Sequence, residues 1–274
     1  MATAEPCYTA EQIRVRLGIS TYVLHGQMAL GREGLRQIAE AGIVTLEIID
    51  ERGEYQVEDP STMKEIVAAC REFGLSVTSF HSRSINYHEL GLDAEVVRSK
   101  RMIDHLLAIG GKVWGTHVQI AHPETRLGYE ALAKHYEGQD LKLVVENGGR
   151  QPIQACIDWI DAIGHPQIGM ILDVGHERNV SGQNPMTLPG EPTQILCGIG
   201  HRLHHIHLHD FAEGRDHHPP FEGEIQWVET FKGLKEIGYQ GAFMFEPRPS
   251  LEFADTIRKV GTVPEGMEER VKER

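Results

Sequence analysis

The chain alternates short apolar segments with longer amphipathic segments eight times, and this repeat limits the folds open to it. The short segments are mostly apolar and β-branched, as expected for parallel strands buried on both faces. The longer segments carry apolar residues at helical spacing, as at Ile66, Ala69 and Phe73. Eight strand–helix units predict a single (β/α)8 TIM barrel over residues 1–274, with its core at about residues 17–262. The predicted strands lie in RLGIST, VTLEII, SVTSFHS, KVWGTHVQI, LKLVVEN, IGMILDVGH, LHHIHLHD and GAFMFEPR.

An open, doubly wound sheet is the rival arrangement, because it also alternates strands with helices. Such sheets usually carry a glycine-rich phosphate loop after the first strand. The segment GISTYVLHG at the end of the first predicted strand lacks that glycine spacing. No stretch rich in proline, glycine or serine divides the chain in two, although residues 180–192 form a long loop after the sixth strand. The closed barrel is therefore favoured.

The charge balance and the cysteine pattern narrow the expected partners and compartment. Asp and Glu number 40 against 27 Lys and Arg, whereas nucleic-acid backbones and anionic membranes attract an excess of cationic side chains. We therefore expect neither a nucleic acid nor a membrane as a partner. The four cysteines are widely spaced without a CxxC pair, and MATAEPCYTAEQ lacks the features of a signal peptide. A cytoplasmic location is the expectation.

Six predicted strands in succession carry a histidine or a carboxylate at or just beyond their C-terminal ends. In a (β/α)8 barrel these ends meet at one mouth. Carboxylates and imidazoles that converge there form a site for a divalent cation, which offsets the cost of burying several like charges. The residues concerned are His81, His122, Glu146, Asp173, His176, His207, His209, Asp216, His218 and Glu246.

Histidine is most concentrated in HHIHLHDFAEGRDHH, residues 204–218, where six of the fifteen residues are histidine. Only one face of a strand points into the barrel. His204 and His205 are therefore interpreted as bystanders outside the site, and His217 as a solvent-exposed residue.

The segments VVENGG, LDVGH, HIHLHD, RDHHPPFEGEIQW and MFEPR together resemble the xylose-isomerase-like TIM-barrel superfamily. The resemblance covers most of the chain, from about Leu17 to Arg248. That superfamily holds sugar isomerases and epimerases, inosose dehydratases and metal-dependent apurinic endonucleases.

In its epimerase branch, one metal ion is held by a Glu, an Asp, a His and a Glu at the ends of strands five to eight. The resemblance assigns these roles to Glu146, Asp173, His207 and Glu246. His207 is preferred to His209 because the family pattern is a histidine, two residues, and then an Asp or Asn, as in His207 to Asp210.

Other polar residues at the mouth are assigned to substrate binding by the same resemblance. The substrate-contacting histidine of the family matches His176, and an arginine of the strand-seven loop matches Arg215 loosely; His209 is a neighbouring candidate. The endonuclease branch uses three zinc ions, and its extra positions resemble His81, His122, Asp216 and His218. All four positions are filled, so a multinuclear site stays open beside a single-ion site in which these residues bind substrate hydroxyls.

The resemblance implies a sugar or polyol isomerase or epimerase that depends on a divalent metal ion. The cation stabilises an enediolate formed next to a carbonyl, while Glu146 and Glu246 exchange protons with the substrate. A histidine among carboxylates favours Mn²⁺, with Zn²⁺, Co²⁺ and Mg²⁺ as alternatives. Trp114 and Trp227 would stack on a sugar if they lie near the mouth, although tryptophans of this kind more often belong to the core.

Two further functions stay open from the sequence. An inosose-type dehydratase would share the first proton abstraction and then eliminate a β-hydroxyl group. A trinuclear-zinc phosphodiesterase of the endonuclease type is disfavoured by the acidic charge. The expected partner is a small sugar or polyol, and the resemblance also allows a homo-oligomer.

Overall fold

The computed structural model describes residues 7–50, 60–149, 151–249 and 252–273. Within these ranges the strands are β1 (Leu17–Ser20), β2 (Thr45–Asp50), β3 (Ser76–Ser82), β4 (Val113–Thr116), β5 (Lys142–Glu146), β6 (Ile168–Asp173), β7 (Leu203–Leu208), β8 (Asp210–Ala212), β9 (Arg215–His218) and β10 (Phe243–Phe245).

Helices follow or precede each barrel strand. The α-helices are α1 (Ala10–Arg14), α2 (Arg32–Glu40), α3 (Pro60–Phe73), α4 (Tyr87–Leu90), α5 (Leu92–Ala108), α6 (Pro123–His135), α7 (Ile153–Ile163), α8 (Glu191–Ile199), α9 (Trp227–Glu236), α10 (Phe253–Gly261) and α11 (Val263–Lys272). Short 3₁₀ helices span Thr21–Leu24, Pro185–Thr187 and Gly200–Arg202.

Eight parallel strands close into a barrel, with β10 between β7 and β1. The predicted (β/α)8 barrel is confirmed, and the ladder between β10 and β1 excludes the open, doubly wound sheet. Barrel closure brings the C-terminal ends of all eight strands to one mouth. The fold therefore supplies the convergence of polar residues that the sequence predicts.

The helical spacing at Ile66, Ala69 and Phe73 is confirmed, because these residues lie in α3. The α7 helix ends at Gly164, whose φ of 67° lies in the left-handed region and whose N–H donates to the carbonyl of Ile160. The apolar sides of the helices pack around the barrel, where the core includes Ile66 of α3 and Phe80 of β3. The four cysteines are free thiols, and only Cys197 is exposed.

One insertion interrupts the simple strand–helix repeat. Between β7 and α9 the chain forms an antiparallel hairpin of β8 and β9, in which Asp210 pairs with His218. The hairpin lies at the mouth end of the barrel, because β8 begins only two residues after β7 ends. Part of the histidine-rich segment therefore belongs to this hairpin and not to a barrel strand.

Candidate functional site

Four side chains from consecutive strands around the ring meet in the mouth. Nδ1 of His207 on β7 lies 3.2 Å from Glu246 Oε2, 3.7 Å from Glu146 Oε1 and 3.9 Å from Asp173 Oδ2. All four residues are at most 6 % exposed. The β6–β7 ladder sets part of this geometry, because Asp173 and His207 are paired residues. The structure thus brings together the four residues expected to bind a metal ion.

The other ring nitrogen of His207, Nε2, determines the tautomer of this imidazole. Nε2 lies 2.7 Å from Oε1 of Glu47, a fully buried carboxylate on β2, so Nε2 carries the proton that it donates. Nδ1 is buried and has no well-aligned hydrogen-bond partner among the described residues. Nδ1 faces three carboxylates, and the imidazole and the carboxylates together are a set of ligands that divalent cations bind. The residues present therefore fit a divalent metal ion.

The pKa of His207 also indicates that the site needs a positive charge at Nδ1. Burial alone would lower the pKa of His207, but the carboxylates of Glu246 and Glu47 raise it well above its usual value. Either a proton or a metal ion at Nδ1 relieves the repulsion among the acids, and the two compete for the same lone pair.

Glu47 forms a second contact, with His205. Burial favours the neutral acid, but His207 and His205 hold the pKa of the Glu47 carboxyl group well below its usual range. Oε2 of Glu47 lies 2.8 Å from Nε2 of His205, whose ring also approaches Ser79 Oγ at 3.4 Å. The interpretation of His205 as a bystander is wrong, because residues 205 and 207 face the same way. His204 on the opposite face is half-buried, and burial lowers its pKa to about 4.

Three further histidines lie around the carboxylate of Glu146. Its Oε2 lies 2.9 Å from His81 Nε2 and 3.7 Å from His117 Nδ1. Its Oε1 lies 3.2 Å from Nδ1 of His176. Burial opposes protonation of His176, but Asp173 and Glu146 raise its pKa to about 10.

The histidine that follows β4 and lies beside Glu146 is His117, which the sequence reasoning missed. The residue assigned there, His122, lies farther along the loop, where its ring stacks on His88 with centroids 4.6 Å apart. His117 immediately follows the β4 strand, Val113–Thr116, and this position was the available signal. His122 nevertheless lines the cavity described below.

Asp173 is held by three neighbours. Oδ1 accepts the N–H of Gly175 at 2.8 Å, and both carboxylate oxygens lie within 3.1 Å of His209 Nε2. Nδ1 of His209 accepts the backbone N–H of His217, so the ring proton is on Nε2 and points to Asp173. Asn147 completes the support, because its side-chain amide exchanges two hydrogen bonds with the backbone of Asp173. His209 is fully buried and supports Asp173, although it was assigned to substrate binding.

The β8–β9 hairpin brings a further carboxylate to the mouth. Oδ2 of Asp216 lies 3.8 Å from His176 Nε2, whereas Arg215 is exposed. His218 is half-buried, and its Nε2 has no hydrogen-bond partner among the described residues. His217 was expected in solvent, but its Nδ1 lies 2.8 Å from the backbone carbonyl of Glu246, and only 16 % of its side chain is exposed. That expectation is wrong.

A cavity of about 1010 Å³ opens at the mouth, and Glu146 is the member of the four converging residues that lines it. Trp114 and Trp227, considered as stacking platforms, are 0 % and 4 % exposed and belong to the core. Trp159 on α7 lines the cavity instead, although it lies far from any strand end. The lining includes His117, Gln119, His122, Glu146, Asn147, Gln151, Ala155, Trp159, His176, Arg178 and Asp216.

The chain belongs to the family described as xylose isomerase-like TIM barrel, whose model matches residues 35–268. A D-psicose 3-epimerase of Enterocloster bolteae is 31 % identical over 121 residues, which are 44 % of this chain and 33 % of that protein. The chain spans about a third of the length of the curated relatives that it matches.

Solved structures share the fold over nearly the whole chain. A D-psicose 3-epimerase with D-tagatose from Clostridium cellulolyticum H10 has a TM-score of 0.69 and 15 % identity, over 93 % of this chain and 98 % of that one. A xylose isomerase-like TIM barrel protein from Mycobacterium smegmatis in complex with magnesium has a TM-score of 0.70 and 16 % identity, over 97 % and 99 %. In the part of the chain that the structure describes, every helix is too short or too polar to cross a membrane.

Proposed function

We propose that the protein is a sugar or polyol isomerase or epimerase that depends on one divalent metal ion. The observation that carries this proposal is the convergence of the buried Nδ1 of His207 with three buried carboxylates, at a mouth whose cavity is large enough for a sugar. The relatives named as sugar epimerases support the same reaction class.

Glu146, Asp173, His207 and Glu246 would hold the metal ion. When bound, the ion acts as a Lewis acid that stabilises negative charge on the oxygens of a carbonyl and an adjacent hydroxyl group. Mn²⁺ is the favoured ion, because one imidazole among three carboxylates suits it better than Mg²⁺.

The protein's own groups would move the protons. Glu146 lines the cavity and removes the proton from the carbon next to the carbonyl, and Glu246 returns a proton to the substrate. The two carboxylates project from β5 and from just beyond β10, two strands that are not neighbours in the barrel. His176 and Asp216, which also line the cavity, would bind substrate hydroxyls.

An inosose-type dehydratase is the second candidate, and one observation favours it. Elimination of a β-hydroxyl group needs a proton donor beside the base. His176 lines the cavity, with its Nδ1 3.2 Å from Oε1 of Glu146, and its imidazolium form would supply that proton. The acidic chain, with a net charge of −13, disfavours the third candidate, a phosphodiesterase acting on nucleic acid.

Solvent-deuterium exchange tests this proposal. The Mn²⁺-loaded protein is incubated in D₂O with a panel of ketoses and inososes, and products are followed by NMR. Deuterium at the carbon next to the carbonyl is the expected result, and a dehydrated product would identify the second candidate. Glu146→Gln should slow exchange by about 10²–10⁴-fold. Glu95→Gln is the matched control, because Glu95 is equally buried but lies on α5 beside Arg98.

Failure of exchange on every panel member, with the metal shown to be bound, would contradict the proposal. Full exchange in Glu146→Gln would remove Glu146 as the base. Cleavage of abasic DNA by the metal-loaded protein would instead support the phosphodiesterase.

A further inference from the structure

We propose that the cavity beside Glu146 binds a second sugar ring, so that the substrate class is a keto sugar carrying a glycosyl substituent. This inference rests on the proposed function for the identity of the reacting ring. Its own support comes from the part of the cavity that extends beyond the metal-binding residues, along the loops after β4 and β5 to helix α7.

The size of the cavity exceeds what a single ring needs. Its volume is about 1010 Å³, at the upper end of the roughly 300–1,000 Å³ typical of small-molecule sites. A water molecule occupies about 30 Å³ in the liquid. If each of the roughly 12 non-hydrogen atoms of a hexose is given that volume, the sugar fills at most roughly 360 Å³. Two linked rings still fit within the cavity on the same generous estimate.

The lining of the cavity includes part of helix α7. Besides Glu146 at the end of β5, it contains Ala155 and Trp159, which are four residues apart and therefore share one face of α7. The small side chain of Ala155 leaves space beside the indole of Trp159.

The walls of this extension are tied together before any ligand binds. The side-chain amide of Gln151 accepts the N–H of Ile120 at 2.7 Å and donates to the carbonyl of Glu146 at 3.1 Å. One residue thus links the loop after β4 to the end of β5. A preformed wall costs less ordering entropy on binding than a mobile one.

Trp159 is the group that selects a sugar ring. It is partly buried and packs edge-to-face against Tyr129, with ring centroids 5.4 Å apart. Tyr129 is itself fixed, because its hydroxyl donates to the carbonyl of Val144 at 3.0 Å. A fixed, partly exposed indole offers a flat apolar surface to the C–H face of a pyranose, and the polar groups of the lining can meet its hydroxyls.

An anionic substituent is the competing occupant, because Arg178 also lines the cavity. Its guanidinium is engaged within its own loop, where Nη1 donates to the carbonyls of Gly175 and Glu177 at 2.6 Å. The same guanidinium lies 4.7 Å from the ring centroid of Phe211. Because its guanidinium makes these contacts, Arg178 stabilises its own loop. A neutral glycosyl group is therefore favoured over a phosphate as the occupant.

Calorimetric titration of the Mg²⁺-loaded protein tests the proposal with four probes. Isomaltulose and lactulose carry a second ring on a ketose, whereas D-fructose and D-fructose 6-phosphate do not. At least one disaccharide should bind about tenfold more tightly than D-fructose and should change the tryptophan fluorescence. Trp159→Ala should remove this preference without changing the affinity for D-fructose, and Trp159→Phe should keep most of it. Leu127→Ala, an exposed apolar residue on α6, is the control.

Equal affinities for D-fructose and both disaccharides would overturn the inference, as would a preference that survives Trp159→Ala. Tightest binding of D-fructose 6-phosphate would assign the extension to an anionic group and overturn it too. The test is separate from catalysis, since calorimetry and tryptophan fluorescence report binding whether or not the bound sugar reacts. A disaccharide preference without deuterium exchange would remove the proposed isomerase alone, whereas exchange without the preference would remove the second-ring site alone.

Discussion

The carboxylate of Glu47 lies 2.7 Å from Nε2 of His207, on the side of the imidazole opposite the three mouth carboxylates. The contact crosses the barrel interior, because β2 and β7 are separated in the ring by β1 and β10. An anion behind an imidazole fixes its tautomer and makes the other nitrogen a better ligand. Glu47 therefore positions His207 from behind, on the ring nitrogen that faces away from the three mouth carboxylates.

Replacing Glu47 with glutamine should weaken metal binding by about 10–100-fold. The glutamine side chain is neutral, so the anion behind His207 is lost. Its NH₂ group is a donor, and it would face the N–H of either His205 or His207, both of which now donate to the carboxylate. Isothermal titration with Mn²⁺ measures the change. Glu95→Gln, buried on α5, should leave the affinity unchanged, and an unaltered affinity in Glu47→Gln would show that the tautomer is set elsewhere.

Metal binding should raise the thermal stability of the protein, because a cation relieves repulsion among buried acids. A ligand at 1,000 times its Kd stabilises the folded state by about 4 kcal/mol. At roughly 2–4 °C per kcal/mol, the melting temperature should rise by roughly 10 °C on adding Mn²⁺ and fall again with EDTA. Differential scanning fluorimetry measures both changes.

The variant His207→Ala shows whether the stabilising ion binds at the four-residue site or at another group of ligands. It should lose most of the rise in melting temperature that Mn²⁺ produces. An equal shift in His207→Ala would place the ion elsewhere, for instance at the group of His88, His122 and Glu124 outside the four-residue site.

The features that the sequence made predictable are those tied to strand ends. Glu146, Asp173 and His207 could be grouped from one sequence because parallel strands of a barrel end at a common mouth. The order of the strands and the helices could be predicted for the same reason, since the periodicity of apolar residues changes at each boundary.

The residues that were missed depend on barrel closure. Glu47 lies in the middle of β2, and nothing local indicates that it faces histidines of β7. His217 reaches the site only because the β8–β9 hairpin folds back on the mouth. Trp159 lines a cavity together with a loop more than 30 residues earlier in the chain. The periodicity of apolar residues describes single elements and does not predict such a contact.

Asp210 should prove to be a structural residue. It is fully buried, and its carboxylate accepts three N–H groups, from Phe211 at 2.9 Å, Ile225 at 3.1 Å and the Trp227 indole at 2.8 Å. Asp210→Asn turns one acceptor into a donor that faces another donor. The free energy of unfolding should fall by about 1–3 kcal/mol, as measured by urea denaturation. Asp158→Asn on the exposed face of α7 should change it by less than about 0.5 kcal/mol.

Gly175, between Asp173 and His176, should be required for the approach of the hairpin to the mouth. A Cβ atom there would lie 2.2 Å from Cε1 of His209 and 2.7 Å from Cβ of Asp216, so either the ring or the hairpin would have to move. Gly175→Ala should therefore lower both the Mn²⁺ affinity and the rate of deuterium exchange, by about tenfold or more for a misplacement near 1 Å.

The matched control for this substitution is Gly198→Ala in α8, where an added Cβ meets nothing within 4 Å. It should leave metal affinity and exchange unchanged and stabilise the helix by up to about 1 kcal/mol. Wild-type affinity and exchange in Gly175→Ala would show that His209 and the hairpin can shift without disturbing Asp173. In that case the support of Asp173 would rest on Asn147 and not on the hairpin, since the Asn147 amide holds the Asp173 backbone independently of residues 209–218.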